Sequence, residues 1–580
     1  MIKKIALTVL LLLISSCAFA YENNYVEGEV IVVIDDSKFA YSAKSTFSTN
    51  TYSEEMDLMA ESFAESTGLV SLGTFSEISR ISGNNIIHLR SETKSTEQLM
   101  QELADNPDVK SAQPNYKRRI LNEPKTPVSY LSAFGNSQIL PNDPHFGEQW
   151  GFRNIGMPQV WEHSTGSESI CVAVIDTGID YNHQDLNANM ARDSYGNYGR
   201  HFTQGTQNGN PMDYEESHGT HVAGIIGAVG NNGIGVAGIN WNIKLLAVKV
   251  FTRSDAYDSD FIAGINYVLS EKSKGLNIKV ANMSLGGWDY PLPDDSPLGS
   301  AIRSLSDAGI ICVFAAGNSG ENLSNPSQAL NKGKRVYPAC FRFANTITVG
   351  AINNGDQKIS LSNYGREWVD MAAPGDRIYS TLMKDRYGTL SGTSMAAPHV
   401  AGAAALLFAA FPNESASQIK QRLIKGAKSV GGSQELWGNG LLDVTNAFGI
   451  ETIPEKEEPL TSVKITGGGD IHVGRSSLLN HTKHPSNANG YFEYSWKVSD
   501  ESIAKVSGRN NTAAEIIGLS GGKITITLTV TQTLQSGTKI TRSDSIEISI
   551  GTPSSSSGGC NSGLLIASLL LVLPILRRKN

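Results

Sequence analysis

Residues 170–180 read ICVAVIDTGID, an uninterrupted apolar run that ends in an aspartate and a glycine-containing turn. A continuous apolar strand, rather than an alternating one, is typical of a strand buried on both faces of a parallel sheet. Further runs of this kind alternate with helices of small residues, and they are Leu245–Val250, Val280–Met283, Ile310–Ala315 and Thr346–Val349. The alternation predicts a three-layer α/β domain over residues 140–448, with its functional side chains at the carboxyl ends of the strands.

At 580 residues the chain is too long for one domain, and the pattern changes on both sides of the α/β region. Residues 21–120 combine strand-like and helical stretches and predict a small α+β unit, and residues 121–139 are a linker. After a second linker at 449–460, residues 461–551 contain short alternating strands with Gly- and Asn-rich turns, which predict a β-sandwich similar to bacterial immunoglobulin-like domains. The strands expected there are Val463–Thr466, Tyr491–Val498, Ile524–Val530 and Ile546–Ile550.

Residues 1–20 have the features of a secretory signal peptide. Lys3 and Lys4 precede a short apolar run, and small residues at Ala18 and Ala20 favour cleavage before Tyr21. Two alternatives remain open. One is a retained membrane anchor, and the other is a lipoprotein in which Cys17 is acylated.

Residues 552–580 form a Ser/Gly spacer, an apolar stretch and a basic end. The apolar residues 563–576 give a helix of roughly 21 Å, which is short of the ~30 Å hydrocarbon core of a bilayer. The arrangement resembles the GlyGly-CTERM sorting tails of Gram-negative surface proteins, and it predicts transient or C-terminal membrane association. An ordinary C-terminal anchor is the alternative.

The charge and the cysteines exclude several functions. There are 48 basic and 56 acidic residues, a net charge of −8, and no long basic run, so nucleic acid is not expected as a partner. Outside the terminal signals only Cys171, Cys312 and Cys340 remain, so one disulfide at most can form, and a Cys312–Cys340 pair stays open. Cys171 and Cys312 lie in apolar runs and are expected to be buried small residues.

Three segments place a reactive side chain where a strand ends or a helix begins: VIDTGID at 174–180, SHGTHVAG at 217–224 and SGTSMAAPH at 391–399. Asp176 follows a buried strand and is able to orient an imidazole, such as that of His218. Ser394 begins a helix, whose N–H groups favour developing negative charge. Each residue alone is more often a cap or turn former. Together with Asn318, which follows another strand, they predict acyl transfer through an oxyanion.

These segments and their order resemble the subtilisin family of serine endopeptidases over residues 140–448. The resemblance implies that Ser394 is the nucleophile, His218 the general base and Asp176 the orienting carboxylate. Asn318 and the backbone N–H of Ser394 then form the oxyanion hole. Residues 21–120 resemble that family's inhibitory propeptide, so the enzyme is expected as a self-inhibited precursor. The neighbouring histidines His221 and His399 are expected to be structural.

The resemblance also implies a peptide-binding groove. Its expected residues are Ser284, Leu285, Gly286, Ala316, Gly317 and Val336. Val336 stands where the family often has glycine, and we expect it to shorten the specificity pocket and favour small or medium apolar residues. Asp255, Asp258 and Asp260 are expected to form a solvated acidic loop at the rim, the alternative being a preference for basic residues further upstream.

A structural Ca²⁺ site is implied by the loop GNNGIGV at 230–236, since carbonyl, amide and carboxylate oxygens are ligands that calcium prefers. The expected ligands are Asp143, Asp185, Asn232, Ile234 and Val236. A glycine-rich turn without metal is the alternative.

The sequence thus predicts a calcium-stabilised, monomeric serine endopeptidase that acts on protein or peptide substrates and is secreted or held at the surface of a Gram-negative cell. The alternative is a surface binding protein, in which the α/β domain is a scaffold and the sandwich binds polysaccharide or protein. The enzyme is favoured because all four residues that the chemistry requires are present, namely Asp176, His218, Asn318 and Ser394.

Overall fold

The computed structural model describes residues 24–35, 49–120, 123–124, 139–203, 206–253, 255–325, 333–429, 435–450, 459–484, 491–507, 514–533 and 538–551. The predicted signal peptide, the sorting tail, most of the 121–139 linker and residues 451–458 lie outside the described residues. The chain divides into two compact units, Met1–Ile453 and Pro454–Asn580.

The N-terminal part of the first unit is an α+β arrangement, as the sequence pattern indicates. Its elements are β1 (Tyr25–Ile34), α1 (Thr49–Thr67), β2 (Val70–Thr74), α2 (Ser76–Ser82), β3 (Asn85–Arg90), α3 (Thr96–Asp105), β4 (Val109–Ile120) and the short β5 (Glu123–Pro124). Strand β1 pairs antiparallel with β3 and β4. Alternate residues of β1 face two cores: Val30 and Val32 pack with Phe63 of α1, whereas Ile31 and Val33 belong to a core shared with the next part of the unit.

The remainder of the first unit is the α/β region. Its elements are α4 (Trp150–Asn154), α5 (Met157–Val160), β6 (Gly166–Asp176), β7 (Gly199–Thr203), β8 (Thr206–Gly209), α6 (His218–Gly227), β9 (Asn242–Lys249), β10 (Asp255–Tyr257), α7 (Asp258–Ser273), β11 (Ile278–Met283), β12 (Leu285–Asp289), α8 (Pro297–Asp307), β13 (Ile311–Ala315), β14 (Arg335–Tyr337), β15 (Thr346–Ile352), β16 (Met371–Pro374), β17 (Ile378–Leu382), β18 (Arg386–Ser391), α9 (Thr393–Ala410), α10 (Ala416–Gly426) and α11 (Val444–Phe448).

A parallel sheet in the order β16-β15-β13-β11-β6-β9-β7 forms the centre of this region, and β8 adds an antiparallel edge. Successive residues of β6 enter opposite cores: Val172 and Val174 pack on the side of α6 and α9, and Ala173 and Ile175 on the side of α7 and α8. Because both faces are covered, the strands need no polar side chains, which explains their continuous apolar sequence. The predicted three-layer α/β fold is confirmed.

Helix α9 is the one element among the described residues that is long and apolar enough to span a membrane, and 89% of it is buried. Its side chains pack in the core of the first unit, for example Val400 and Leu407. It is therefore a core helix of the α/β region.

The second unit contains β19 (Ser462–Gly467), β20 (Ile471–His472), β21 (Ser476–His484), β22 (Tyr491–Val498), β23 (Ala504–Ser507), β24 (Ala514–Gly518), β25 (Gly522–Thr533) and β26 (Lys539–Gly551). Two sheets have the orders β19-β21-β24-β23 and β20-β26-β25-β22. One apolar core joins them, with Leu479 and Ile516 from the first sheet and Trp496 and Ile526 from the second. This arrangement is a β-sandwich.

Candidate active site

An aspartate and a histidine form a buried pair at the carboxyl edge of the parallel sheet. Asp176 is the last residue of β6 and His218 the first of α6, and the His218 Nδ1 donates to Asp176 Oδ1 at 2.6 Å. The same carboxylate oxygen accepts the Thr177 backbone N–H at 2.7 Å. Both side chains are fully buried. With its proton on Nδ1, the imidazole keeps Nε2 as the basic nitrogen, and Nε2 has no hydrogen-bond partner among the described residues.

The close approach of α6 to β6 depends on a glycine. A Cβ on Gly219 would lie 2.1 Å from the Gly178 carbonyl oxygen and 3.1 Å from Asp176 Oδ1. Any larger residue would move the helix away from the sheet, and His218 with it. The Gly219 N–H also donates to Thr177 Oγ1 at 2.8 Å, which ties the first turn of the helix to the strand end.

Ser394 lies in the first turn of α9 and is linked reciprocally to Ser284. The Ser394 hydroxyl donates to the Ser284 carbonyl at 3.1 Å, and the Ser284 hydroxyl donates to the Ser394 carbonyl at 2.9 Å. Ser284 connects β11 to β12, so this contact fixes the serine helix to the rim of the groove. Helices α6 and α9 pack against each other in one core, and His218 and Ser394 each lie in the first turn of their helix.

Asn318 follows β13 and is anchored by the residue before Ser394. Its Oδ1 accepts both the backbone N–H and the hydroxyl of Thr393, each at 2.9 Å. Because the oxygen end of the amide is fixed by Thr393, the Nδ2 donors occupy the opposite end of the side chain. The backbone of Gly317 is held in turn by Thr393 Oγ1, at 3.1 Å.

The predicted groove residues line two edges near Ser394. Leu285 and Gly286 belong to β12, which pairs with β14 on one side and with β4 on the other. Val336 of β14 is opposite Trp288 and is 2% exposed. It borders the second wall, since a Cβ on Gly317 would lie 3.6 Å from Val336 Cγ1.

The strand expected to form the groove pairs with another part of the chain. Strand β4 pairs antiparallel with β12, with Ile120 opposite Leu285 and Arg119 opposite Gly286, and on its other edge it pairs with β10. Beyond it, Glu123 of β5 pairs with Ser391 of β18. The segment from β4 to β5 therefore has contacts on both sides of the residues around Ser394.

Comparison with known proteins identifies the family of this chain. The profile of the Subtilase family, Peptidase_S8, matches residues 167–440. Thermophilic serine proteinase of Bacillus sp. strain AK1 is 34% identical over 60% of this chain and 75% of its own, and thermitase of Thermoactinomyces vulgaris is 37% identical over 53% and 98%. Subtilisin E of Bacillus subtilis is 39% identical over 51% of this chain and 70% of its own length. The chain belongs to the subtilase family.

A solved structure of a protease from Pseudoalteromonas arctica also matches, at 30% identity and a TM-score of 0.46, over 53% of this chain and 98% of that one. As a member of the subtilase family the chain is a serine endopeptidase, which acts on protein or peptide substrates. The prediction of an enzyme is confirmed.

In this subtilase the predicted calcium ligands come together. Asp185 is fully buried, and its two carboxylate oxygens accept from Asn232 Nδ2 and from the Val236 N–H, both at 2.8 Å. Asp143 accepts the Asn231 N–H at 2.7 Å, and its Oδ1 has no hydrogen-bond partner among the described residues. Burial raises the pKa of Asp185 to about 6 and also raises that of Asp143. Such paired, buried carboxylates fit a cation.

The side chains of this loop are not all free to bind a cation. Asn232 Oδ1 accepts the Ile234 N–H at 2.7 Å, so the amide bridges the loop and Asp185. Within the described ranges no three His, Cys, Asp or Glu side chains form a metal-binding group, so a cation there needs backbone carbonyl ligands as well. Oxygen ligands of this kind are what a hard cation such as Ca²⁺ prefers.

The other candidate residues are structural. The ring of His221 contacts the carbonyls of Ile378 and Gly388 at 2.9 and 3.2 Å, and that of His399 contacts the Met395 carbonyl at 2.7 Å. Burial lowers the pKa of His221 to about 3 and that of His399 to about 4. Both rings are therefore neutral packing residues with carbonyl partners.

The three internal cysteines, Cys171, Cys312 and Cys340, are free and buried, and no disulfide joins them. Burial raises the pKa of Cys171 and of Cys340 to about 12. Cys171 and Cys312 are buried small residues, as their apolar surroundings in the sequence predict.

The acidic rim differs from the expectation. The Asp255 side chain is 59% exposed, as a solvated loop requires, but Asp258 is fully buried and Asp260 is 6% exposed. The interpretation of a solvated acidic loop is therefore wrong for these two residues. Asp258 is covered because β4 lies over the start of α7 and contributes Arg118, a contact that sequence reasoning missed.

Proposed function

We propose that Asp176, His218 and Ser394 form the catalytic triad of this endopeptidase. The buried 2.6 Å contact between His218 Nδ1 and Asp176 carries the proposal, since it leaves Nε2 as the base. Ser394 Oγ attacks the scissile carbonyl while its proton passes to His218 Nε2. His218 then protonates the leaving amine, and the acyl-enzyme is hydrolysed by water in a second, analogous step.

The negative charge that develops on the carbonyl oxygen is stabilised by two donors. They are Asn318 Nδ2 and the Ser394 backbone N–H, the latter in the first turn of α9. The anchoring of Asn318 Oδ1 by Thr393 supports this role, because it pre-orients the amide before substrate binds.

We propose further that residues 21–120 are a propeptide that inhibits the enzyme by occupying its groove. The pairing of β4 with β12 and β10 supports this, because a bound peptide adds a strand in the same way. Two polar side chains of β4 also cap helices of the enzyme: Asn115 Oδ1 accepts the Ser259 N–H at the start of α7, and Gln113 Oε1 accepts the Leu298 N–H at the start of α8.

A structural Ca²⁺ is proposed in the loop at 230–236. The buried carboxylates of Asp185 and Asp143 would hold it together with backbone carbonyls. The bound cation would neutralise two carboxylates that burial otherwise disfavours, and it would tie the N-terminal segment at Asp143 to the loop after α6.

Val336 is proposed to limit the primary specificity pocket. Its burial in β14 and its position beside Gly317 support a short pocket that favours small or medium apolar residues. A peptide series that varies only the substrate residue before the cleaved bond tests this proposal. Preferred cleavage after Phe or Tyr would contradict it.

The sequence of residues 1–20 supports export, and the tail at 552–580 supports sorting to the surface of a Gram-negative cell. Mass spectrometry of the protein recovered from culture medium and from membranes would give both termini and any lipid on Cys17. Intact residues 1–20 in a soluble cytoplasmic product would contradict export.

The decisive test of the catalytic proposal compares the wild-type chain with Ser394→Ala. The variant is expected to remain at full precursor length and to lose casein hydrolysis, whereas the wild type is processed and active. Casein hydrolysis that survives the substitution would show that the triad is wrongly assigned.

A further inference from the structure

A single arginine is fully buried between β4 and the rim of the groove. Arg118 Nε donates to Asp258 Oδ1 at 2.6 Å and Nη2 donates to Asp258 Oδ2 at 2.7 Å, so the guanidinium and the carboxylate form a two-bond fork. Nη1 donates to Asp289. The exposed fractions of the three side chains are 0%, 0% and 3%. Charge-assisted contacts of this geometry are among the strongest hydrogen bonds in proteins.

The walls of this pocket belong to the α/β region. Asp258 begins α7 and Asp289 ends β12, and the backbone of Gly287 closes one side, where an added Cβ would lie 3.1 Å from Arg118 Nη1. Two carboxylates that share one buried pocket repel each other and are poorly solvated. Burial raises the pKa of Asp258, and the two carboxylates raise that of Arg118. The cationic side chain of the bound strand offsets the repulsion between the two carboxylates and replaces their lost solvation.

The register of β4 fixes where the arginine stands relative to Ser394. Arg119 is opposite Gly286 and Ile120 is opposite Leu285. The residue just before β12 is Ser284, whose carbonyl accepts the Ser394 hydroxyl. A peptide bound in this register presents to Ser394 the carbonyl of the residue level with Ser284. Arg118 therefore corresponds to the fourth residue on the N-terminal side of the cleaved bond.

We propose that Asp258 and Asp289 form a subsite that selects arginine four residues before the cleaved bond, in protein substrates as well as in the precursor. The proposal rests on the function proposed above, because it takes Ser394 as the nucleophile. Lysine fits less well, since an ammonium cannot form the two-bond fork with Asp258 while it reaches Asp289. The favoured substrates are therefore extended segments with arginine upstream of an apolar residue.

The test uses the processed enzyme obtained from the full chain and four acetylated p-nitroanilides that differ only at the first residue. These are Arg-Ala-Ala-Leu, Lys-Ala-Ala-Leu, Gln-Ala-Ala-Leu and Leu-Ala-Ala-Leu. We expect kcat/KM for the arginine peptide to exceed that for the leucine peptide by at least about tenfold, as lost hydrogen bonds to charged groups imply, and to exceed that for the lysine peptide as well.

Asp258→Asn and Asp289→Asn are each expected to reduce the arginine-to-leucine ratio by about tenfold. The matched control is Asp255→Asn, which removes an exposed carboxylate of the same rim and is expected to leave that ratio as in the wild type. An equal fall in the control would show general attraction of cations and would overturn the pocket.

The four peptides tested on the wild-type enzyme decide whether the arginine subsite exists, even when a variant of Asp258 or Asp289 fails to mature. Cleavage of all four peptides at rates within twofold of one another would overturn the arginine subsite and leave the proposed function intact. Cleavage of none of them, with casein hydrolysis equal in wild type and Ser394→Ala, would overturn the proposed function and the subsite that rests on it.

Discussion

Asn318 is held by Thr393 in the absence of substrate, as its proposed role in the oxyanion hole requires. We expect Asn318→Ala to lower kcat by about 10²–10³-fold and to change KM little, because its Nδ2 acts only when negative charge develops. Steady-state kinetics on a short peptide measures both constants. Thr393→Val removes the hydroxyl that donates to Asn318 Oδ1 and accepts the Gly317 N–H, but it keeps the backbone donor to Asn318 and is expected to cost less. A rise in KM with unchanged kcat for Asn318→Ala would instead indicate a ground-state contact.

His399 predicts a pH dependence of stability. Its pKa falls from an ordinary 6.5 to about 4 in the folded state because the ring is buried. The unfolded chain therefore binds more protons between these values, so this histidine costs stability as the pH falls from 6.5 towards 4. The loss is on the order of 2 kcal/mol between pH 7.5 and pH 5.

His399→Gln is expected to reduce that pH dependence, whatever packing it loses at every pH. Unfolding temperatures are compared at pH 5 and pH 7.5 in a Ser394→Ala background, which prevents autolysis. The same shift between the two pH values in both proteins would mean that His399 is not the titrating group. His221, with a pKa of about 3, is a second contributor of the same sign.

The residues of the proposed triad could be singled out from the sequence because each lies inside a long local motif. The pocket around Arg118 was not, because its contacts join residues 140 and 171 positions apart and depend on the register of β4. The sequence alone predicts that Asp258, a charged residue, is exposed in a loop. It is buried, and paired with Arg118, because β4 lies over the start of α7.

Among the elements, the central strands were predictable because burial on both faces leaves a continuous apolar run. Expected and observed limits differ by a few residues, as with Ile170–Ile175 and the observed Gly166–Asp176. The edge pairings of β4, β10, β12 and β14 gave no such signal. These strands carry polar or glycine residues rather than a continuous apolar run, and their hydrogen bonds depend on which strand lies alongside.

Strand β4 also predicts where the precursor is cut. Ile120 is level with Leu285 and Glu123 pairs with Ser391, so we expect the cut between these two contacts. The register favours cleavage after Leu121, which gives a mature N-terminus at Asn122. N-terminal sequencing of the active enzyme measures this directly, with Ser394→Ala as the uncut control. A first residue beyond Pro141 would mean that another protease, or a second cut, sets the terminus.

The loop at 230–236 predicts a response to chelation. A cation at about a hundredfold its Kd adds roughly 2.7 kcal/mol, so EDTA should lower the unfolding temperature by on the order of 5 °C. Asp185→Asn is expected to unfold at the lower temperature with or without EDTA. Asp294→Asn, at an exposed position, is the matched control and should respond like the wild type. An unchanged unfolding temperature of the wild type in EDTA would remove the calcium proposal.

At the scale of the whole molecule, the first unit contains both the α/β region and the strand that is proposed to block it. The outer core of the α/β region includes Ile31, Val33 and Ile86 of the N-terminal sheet, next to helix residues such as Ile265 and Leu298. Release of the proposed propeptide is therefore expected to expose apolar surface as well as the groove. We expect that cutting one bond after β4 is not sufficient for activity, and that the detached segment has to dissociate or be degraded.

The second unit predicts a separation of functions. All proposed catalytic and groove residues lie in the first unit, and the second has its own core around Trp496. A chain that ends at Ile450 is therefore expected to hydrolyse a short peptide with kcat/KM within about twofold of the full chain. Trp496→Ala in the full chain is the complementary control. It should destabilise the sandwich by about 3–5 kcal/mol and leave peptide hydrolysis intact. A loss of tenfold or more in both proteins would show that the sandwich supports the peptidase itself.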